Sequence, residues 1–252
     1  MFHNGEFSNT AEFLQQLSEI AEQAADQTIW FRGHARQSFK LLPSVARNDK
    51  ALQREQLLSK RFKQNAYPFR ISPPQDEWEW LFLMQHYGIP TRLLDWTESP
   101  LVALYFAVHD ADEKHDEEDA CIWVLQPEKY NFEIPRLQPS VSVDIPCFGV
   151  DPVLEDYRPD KIALERMSNK LPVAAIAHRK NERIMAQLGV FTIMHRDMTP
   201  LEELGDAYLA KLRIPSDAKE ALRKELAALR INRLSLFPEL VSVAEVTKEL
   251  LQ

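Results

Sequence analysis

An α+β fold, with a mixed or antiparallel central sheet flanked by helices, follows from two features of the sequence. Runs of helical period and short runs of β-branched and aromatic residues mix along the chain without a strict strand–helix–strand alternation. The 252 residues, 45 % of them apolar, suffice to bury one full core, and no repeat or low-complexity tract divides them. A single domain over 1–252 is expected, with its core near 28–195 and a C-terminal helical extension over 196–252.

The elements follow in order. Ser8-Asn9-Thr10 offers capping oxygens to a helix whose apolar stripe is Phe13, Leu14, Leu17, Ile20, Ala21 and Ala24. Thr28–Phe31 has strand composition and Gly33 is expected to end it. Leu52, Leu57, Leu58 and Phe62 suggest a helix. After Pro73-Pro74, Asp76 caps another through Trp80, Leu81, Leu83 and Met84, which Gly88 and Pro90 terminate. Thr91–Asp95 is a short strand. Ser99-Pro100, a capping hydroxyl before a proline in the first turn, opens a helix over Leu101–Val108. Asp110–Asp119 is mostly acidic and is expected as a solvated loop. Ala120–Leu125 reads as a buried strand, and proline-rich 127–159 as a long ordered excursion. Strands at Val173–Ile176, Val190–Met194 and Tyr208–Ile214 follow, with helices at Asn181–Leu188, from Ser216 through Leu229, and after a capping box at Ser242–Glu245.

Composition narrows the function classes. A net charge of −8 disfavours broad nucleic-acid binding, which depends on neutralising phosphates. Cys121 and Cys147 lack a metal-ligand spacing, so no metal is expected, and two cysteines suit a reducing compartment. No apolar run approaches the ~18 residues of a membrane span, and the N-terminal residues lack a basic and then apolar leader. A cytoplasmic protein with no membrane partner is the expectation.

Chemistry concentrates in two places. Arg32 closes an apolar strand beside a glycine. An always-charged guanidinium there either meets a core carboxylate or grips an anion bidentately, and Gly33 lets a ligand or another backbone approach. Gln85–Pro100 is dense in polar and titratable groups between the apolar runs Leu81–Met84 and Leu101–Ala107. Buried polar groups need partners. Gln85, His86, Tyr87, Arg92, Asp95 and Thr97 therefore either satisfy one another or line a pocket; Arg92 is near enough to Asp95 in sequence to pair with it, unless a strand sets the two on opposite faces.

This sequence resembles the FRG domain family. The likeness rests on Phe31-Arg32-Gly33, Leu42-Pro43-Ser44 with Arg47, Gln85–Gly88, Thr91–Thr97 and Ala103–Ala107, then Arg183-Ile184 and Gln187 before Gly189 and Phe191. It spans about 28–195, and Leu236–Leu240 is a further familiar tail. A more distant likeness is to ADP-ribosyltransferases of the Arg–Ser–Glu class, implying a fold of that type. Arg32 resembles their first element, Leu94–Thr97 before the Ser99 helix their second, and Gln187 their third.

That likeness implies an NAD-type nucleotide, as substrate or ligand, with Arg32, Asp95 and Gln187 as the catalytic set and Gly33, Gln85, His86, Tyr87, Arg92 and Thr97 binding substrate. Arginine would orient pyrophosphate or ribose, and a carboxylate would stabilise the cation formed as nicotinamide leaves. Gln187 departs from the pattern because an amide stabilises that cation poorly. Either Asp95, Glu98 or Glu182 supplies the charge, or the site binds without turnover. Three readings stay open: an ADP-ribosyltransferase-like effector in bacterial toxicity or phage defence, with a protein target conceivable; a non-catalytic module recognising a nucleotide or partner; and a nucleic-acid-processing enzyme.

Overall fold

A computed structural model describes residues 1–25, 27–69, 74–109, 116–137, 145–164 and 168–248. Its strands are β1 (His3–Glu6), β2 (Trp30–His34), β3 (Leu93–Thr97), β4 (Ala120–Leu125), β5 (Val173–Ala175), β6 (Gly189–Ile193) and β7 (Leu209–Ile214). Its helices are α1 (Thr10–Ala24), α2 (Asp49–Gln53), α3 (Glu55–Ala66), α4 (Glu77–His86), α5 (Pro100–Val108), α6 (Pro127–Glu133), α7 (Pro159–Leu164), α8 (Glu182–Ala186), α9 (Leu201–Leu204), α10 (Lys219–Ala228), α11 (Arg233–Leu236) and α12 (Leu240–Lys248). No described helix is long and apolar enough to cross a membrane.

The strands form one seven-stranded sheet in the order β1-β7-β4-β2-β3-β6-β5. The pair β1·β7 is parallel and the other neighbours are antiparallel, so the sheet is mixed and the fold is α+β. Because successive strand residues face opposite ways, β4 is buried on both faces. Ala120, Ile122 and Val124 join Phe31, Leu212 and the inner faces of α1, α5 and α10. Cys121, Trp123 and Leu125 join Trp30, Leu94, Trp96 and Tyr130 on the other side. A third cluster packs α4, through Trp78 and Leu81, over Leu93, Val173, Phe191 and Ile193.

The sheet is nearly divided. β2 and β3 meet at one register pair, Phe31↔Thr97, whereas β2·β4 and β3·β6 each pair over five. With α5 packed over β2 on one side and α4 over β3 and β6 on the other, a cleft opens where the halves part.

Several expected elements appear with altered bounds. Gly33 lies inside β2 rather than after it, paired to Ile122. A Cβ there would lie 2.6 Å from the Ala107 amide nitrogen and closer still to the Ala103 carbonyl oxygen, so glycine lets α5 pack directly on the strand. The 52–62 helix is split in two at Arg54. β1 and α11 were not expected, and α12 begins at Leu240, upstream of the supposed capping box at Ser242. The reciprocal box is instead Asn232 with Ser235. Residues 196–252 supply β7 as well as helices, so this extension enters the sheet between β1 and β4.

The described part of the acidic segment, residues 116–119, is a partly exposed turn as expected, with its carboxylates paired. Asp119 accepts from the Arg213 guanidinium at 2.7 and 2.9 Å, the Ser216 amide at 3.0 Å and the Gln37 amide at 3.2 Å. Glu118 pairs with Arg36 at 2.6 Å and Asp116 with Arg223. These carboxylates link the turn to the segment after β2, to β7 and to α10 through partly exposed pairs. Residues 110–115 lie outside the described ones, as do 138–144 within the proline-rich excursion, which otherwise contains α6 and a 3-10 turn at Pro152–Tyr157.

Candidate functional site

The cleft holds a cavity of about 250 Å³ lined by residues from several segments of the chain. Arg32, Asp95 and Gln187 all line it, together with Gly33, Gln85, His86 and Thr97. Phe31, Phe82, Trp96, Phe106 and Phe191 give it aromatic patches.

Arg32 spans the gap between β2 and β3. Its NH1 donates to the Asp95 carbonyl at 2.5 Å, and its Nε donates to His34 Nε2 at 3.0 Å. Thus a guanidinium occupies the place where a β2 amide would otherwise continue the ladder. Burial lowers the Arg32 pKa to about 10, against the pull of Asp95 and with Arg47 adding to the drop, so the group stays cationic at neutral pH. His34 accepts from Arg32 and is neutral. Burial first, then Arg32 and Arg47, push its pKa well below the ordinary value.

Asp95 is the carboxylate of the lining. Alternation along β3 puts it on the face of Leu93 and Thr97, but its own side chain is exposed while theirs are buried. Gln85, one residue before the end of α4, donates to Asp95 Oδ2 at 2.8 Å and accepts from the Thr91 hydroxyl. A single side chain thereby fixes both the carboxylate and the chain entering β3.

Thr97 and Gln187 are committed to structure as well as lining. The Thr97 hydroxyl donates to the Gln187 carbonyl at 2.6 Å and accepts from the Ser99 amide at 3.0 Å. The Gln187 side-chain amide donates to the Leu236 carbonyl at 3.0 Å, tying the C-terminal segment to the site. His86 Nε2 lies 3.5 Å from Glu239 on that same segment.

Two expected substrate-binding residues lie outside the cavity. Arg92 immediately precedes β3. Its Nε and NH2 meet Glu55 Oε2 at 2.9 and 2.7 Å, and NH1 donates to the His195 carbonyl. The partner is thus Glu55 and not Asp95, and the pair is buried, at 6 % and 8 % side-chain exposure. Tyr87 follows α4 and is 61 % exposed, its ring against Phe62 and His86. Glu98, paired with Arg179, and Glu182 are also outside this lining.

Arg183, to which no role was assigned from the sequence, lines the cavity. Its NH1 donates to the His86 carbonyl at 3.2 Å, and its guanidinium lies 4.6 Å from the Phe237 ring centroid. Burial lowers its pKa while Asp95 and Glu239 raise it. One signal was available: a cation just inside a helix N-terminus opposes the helix dipole, and Arg183 follows the Asn181 cap by two residues. The lining thus sets the Asp95 carboxylate among two guanidiniums and aromatic patches. Among the described residues no group of three or more His, Cys, Asp or Glu is placed to hold a metal ion.

No curated protein and no solved structure matches this chain, so the ADP-ribosyltransferase likeness finds no supporting match. A family model does match, over residues 27–116, the stretch that brings Arg32, Gln85, His86, Asp95 and Thr97 to the cavity but not Arg183 or Gln187. The chain contains an FRG domain over residues 27–116.

Proposed function

We propose that the cavity binds an NAD-type nucleotide and acts, as ADP-ribosyltransferases and NAD glycohydrolases do, at the bond between ribose and nicotinamide. One observation carries the reading: Arg32, Asp95 and Gln187, from three distant segments, line one cavity in which a carboxylate sits among guanidiniums. Aromatic patches and about 250 Å³ of space fit a planar ring with its sugar, not a whole dinucleotide.

Cleavage would send the C–N electron pair to the ring nitrogen and leave positive charge on the ribose. Asp95, facing the cavity and held by Gln85, would stabilise that charge. Arg32, whose Nε and NH1 are engaged by His34 and the Asp95 carbonyl, would offer its NH2 to a phosphate or ribose oxygen. Water or an acceptor on a protein target would then add to the ribose carbon and lose its proton.

A second reading, binding without turnover, is favoured by the commitment of the Gln187 amide to Leu236 and of the Thr97 hydroxyl to backbone. Calorimetry with NAD and ADP-ribose, followed by a nicotinamide-release assay, separates the two. Binding with release supports the enzyme, binding without release supports the recognition module, and no binding refutes the nucleotide in both and favours another ligand or partner. A role in toxicity or phage defence rests on the family resemblance alone. It predicts that expression slows host growth and that Asp95→Asn relieves the effect.

A further inference from the structure

Next to this cavity lies a second, of about 620 Å³. The two share Phe82, His86, Asn181, Arg183 and Ile184, so they adjoin along these side chains. Small-molecule sites usually span about 300–1,000 Å³. The first cavity alone falls below that range, and the two together fall within it.

The second cavity differs in chemistry. Trp78 and Phe82 both pack on Phe148, at 4.8 and 5.4 Å between ring centroids, and the three give it an apolar wall. Around them stand the carboxylates of Asp76, Glu79, Glu182 and Glu239, against Lys180, which is already paired with Glu79 at 2.7 Å. Carboxylates accept hydrogen bonds from sugar hydroxyls and exocyclic amines and repel phosphate. At the shared side chains the balance reverses. Arg183 brings five N–H donors, one of them engaged on the His86 carbonyl, with its guanidinium against Phe237.

We propose that the second cavity receives the sugar and base of the far half of a two-part nucleotide whose anionic linkage is held by Arg183 at the junction. The ligand class is then a dinucleotide or a nucleoside diphosphate joined to a sugar, and a mononucleotide fills only the first cavity. The assignment rests on the nucleotide reading above, and its test separates the two.

His178 lines the second cavity, is exposed, and has no part in the first. His178→Trp therefore fills the second cavity without touching the core. ADP-ribose and nicotinamide mononucleotide are titrated calorimetrically into the wild-type chain and into this variant, with melting curves to confirm folding. The expected result is that ADP-ribose binding weakens by about tenfold or more in the variant, the scale of a few lost contacts, while the mononucleotide is unaffected. If the wild-type chain binds neither ligand, the nucleotide reading falls and this assignment with it. If both bind and the variant changes neither, or weakens both equally, the nucleotide reading stands and the second subsite is refuted.

Discussion

Arg92 and Arg32 are both arginines at a strand beside polar neighbours, and the structure gives them different work. Arg92→Met removes the partner of Glu55, whose side chain is 8 % exposed. Glu55 Oε2 then loses two charge-assisted hydrogen bonds, of 2.9 and 2.7 Å, and the His195 carbonyl loses its donor. Glu55 Oε1 already has no hydrogen-bond partner among the described residues, so the carboxylate is left buried and uncompensated. Breaking a buried pair from one side costs roughly 3–5 kcal/mol, whereas replacing both partners with apolar groups is often near neutral. Against a total stability of roughly 5–15 kcal/mol the single variant remains folded but far weaker. Urea titrations of Arg92→Met, Glu55→Leu and the double variant measure the cycle, with the double expected to recover most of the loss. A stable Arg92→Met chain, within about 1 kcal/mol of wild type, that has lost nucleotide binding would refute the structural role.

Four further outcomes follow from the same geometry. Gly33→Ala forces its Cβ against the Ala103–Ala107 backbone of α5, and should cost at least about 1–3 kcal/mol in urea midpoint as overpacking does; a wild-type midpoint would contradict the close approach. Arg32→Lys keeps the charge but cannot bond both His34 and the Asp95 carbonyl, so the chain should stay folded with a lowered melting temperature and lose nucleotide binding in calorimetry; retained affinity would contradict recognition by the guanidinium. Asp95→Asn keeps an oxygen for Gln85 and sits at an exposed side chain, so its melting temperature should hold while nicotinamide release falls by about 10²-fold or more; full turnover would exclude the carboxylate. His195 is 1 % exposed, and burial, with Arg196, Arg92 and Lys170 nearby, lowers its pKa to about 4. Between its ordinary value near 6.5 and 4 the unfolded chain binds a proton that the folded one refuses, so stability falls with falling pH by up to about 1.4 kcal/mol per unit. His195→Gln should flatten that slope by about one proton; an unchanged slope would contradict the assignment.

Local chemistry was legible where one or two residues decide it. The caps at Asn9, Asp76 and Ser99 each accept from an amide of the helix that follows, and Gly88 has the left-handed φ of 72° expected at a helix end. β4 was bounded correctly because six consecutive buried residues leave no alternative period. The cavity's main residues were legible too, since Gln85, Asp95 and Thr97 are polar groups within an apolar block. What failed was decided at a distance. β1 is a half-exposed edge strand over His3–Glu6, without apolar alternation, and its partner lies some two hundred residues on. Gly33 stays in its strand because of α5, not because of its own neighbours. That Arg92 and Asp95 need not pair was legible, but the partner Glu55 was not, because α3 brings it from 37 residues away. Arg183 and Phe237 meet only when the C-terminal segment returns to the cleft.

The most direct test of the central claim is a crystal structure of the wild-type chain with ADP-ribose. The account predicts ligand density in the cleft between β2 and β3, with ribose or phosphate oxygens within hydrogen-bond distance of Arg32 and the Asp95 carboxylate facing the ribose carbon. Ligand density elsewhere on the molecule, with this cavity filled only by water at saturating ligand, would contradict it.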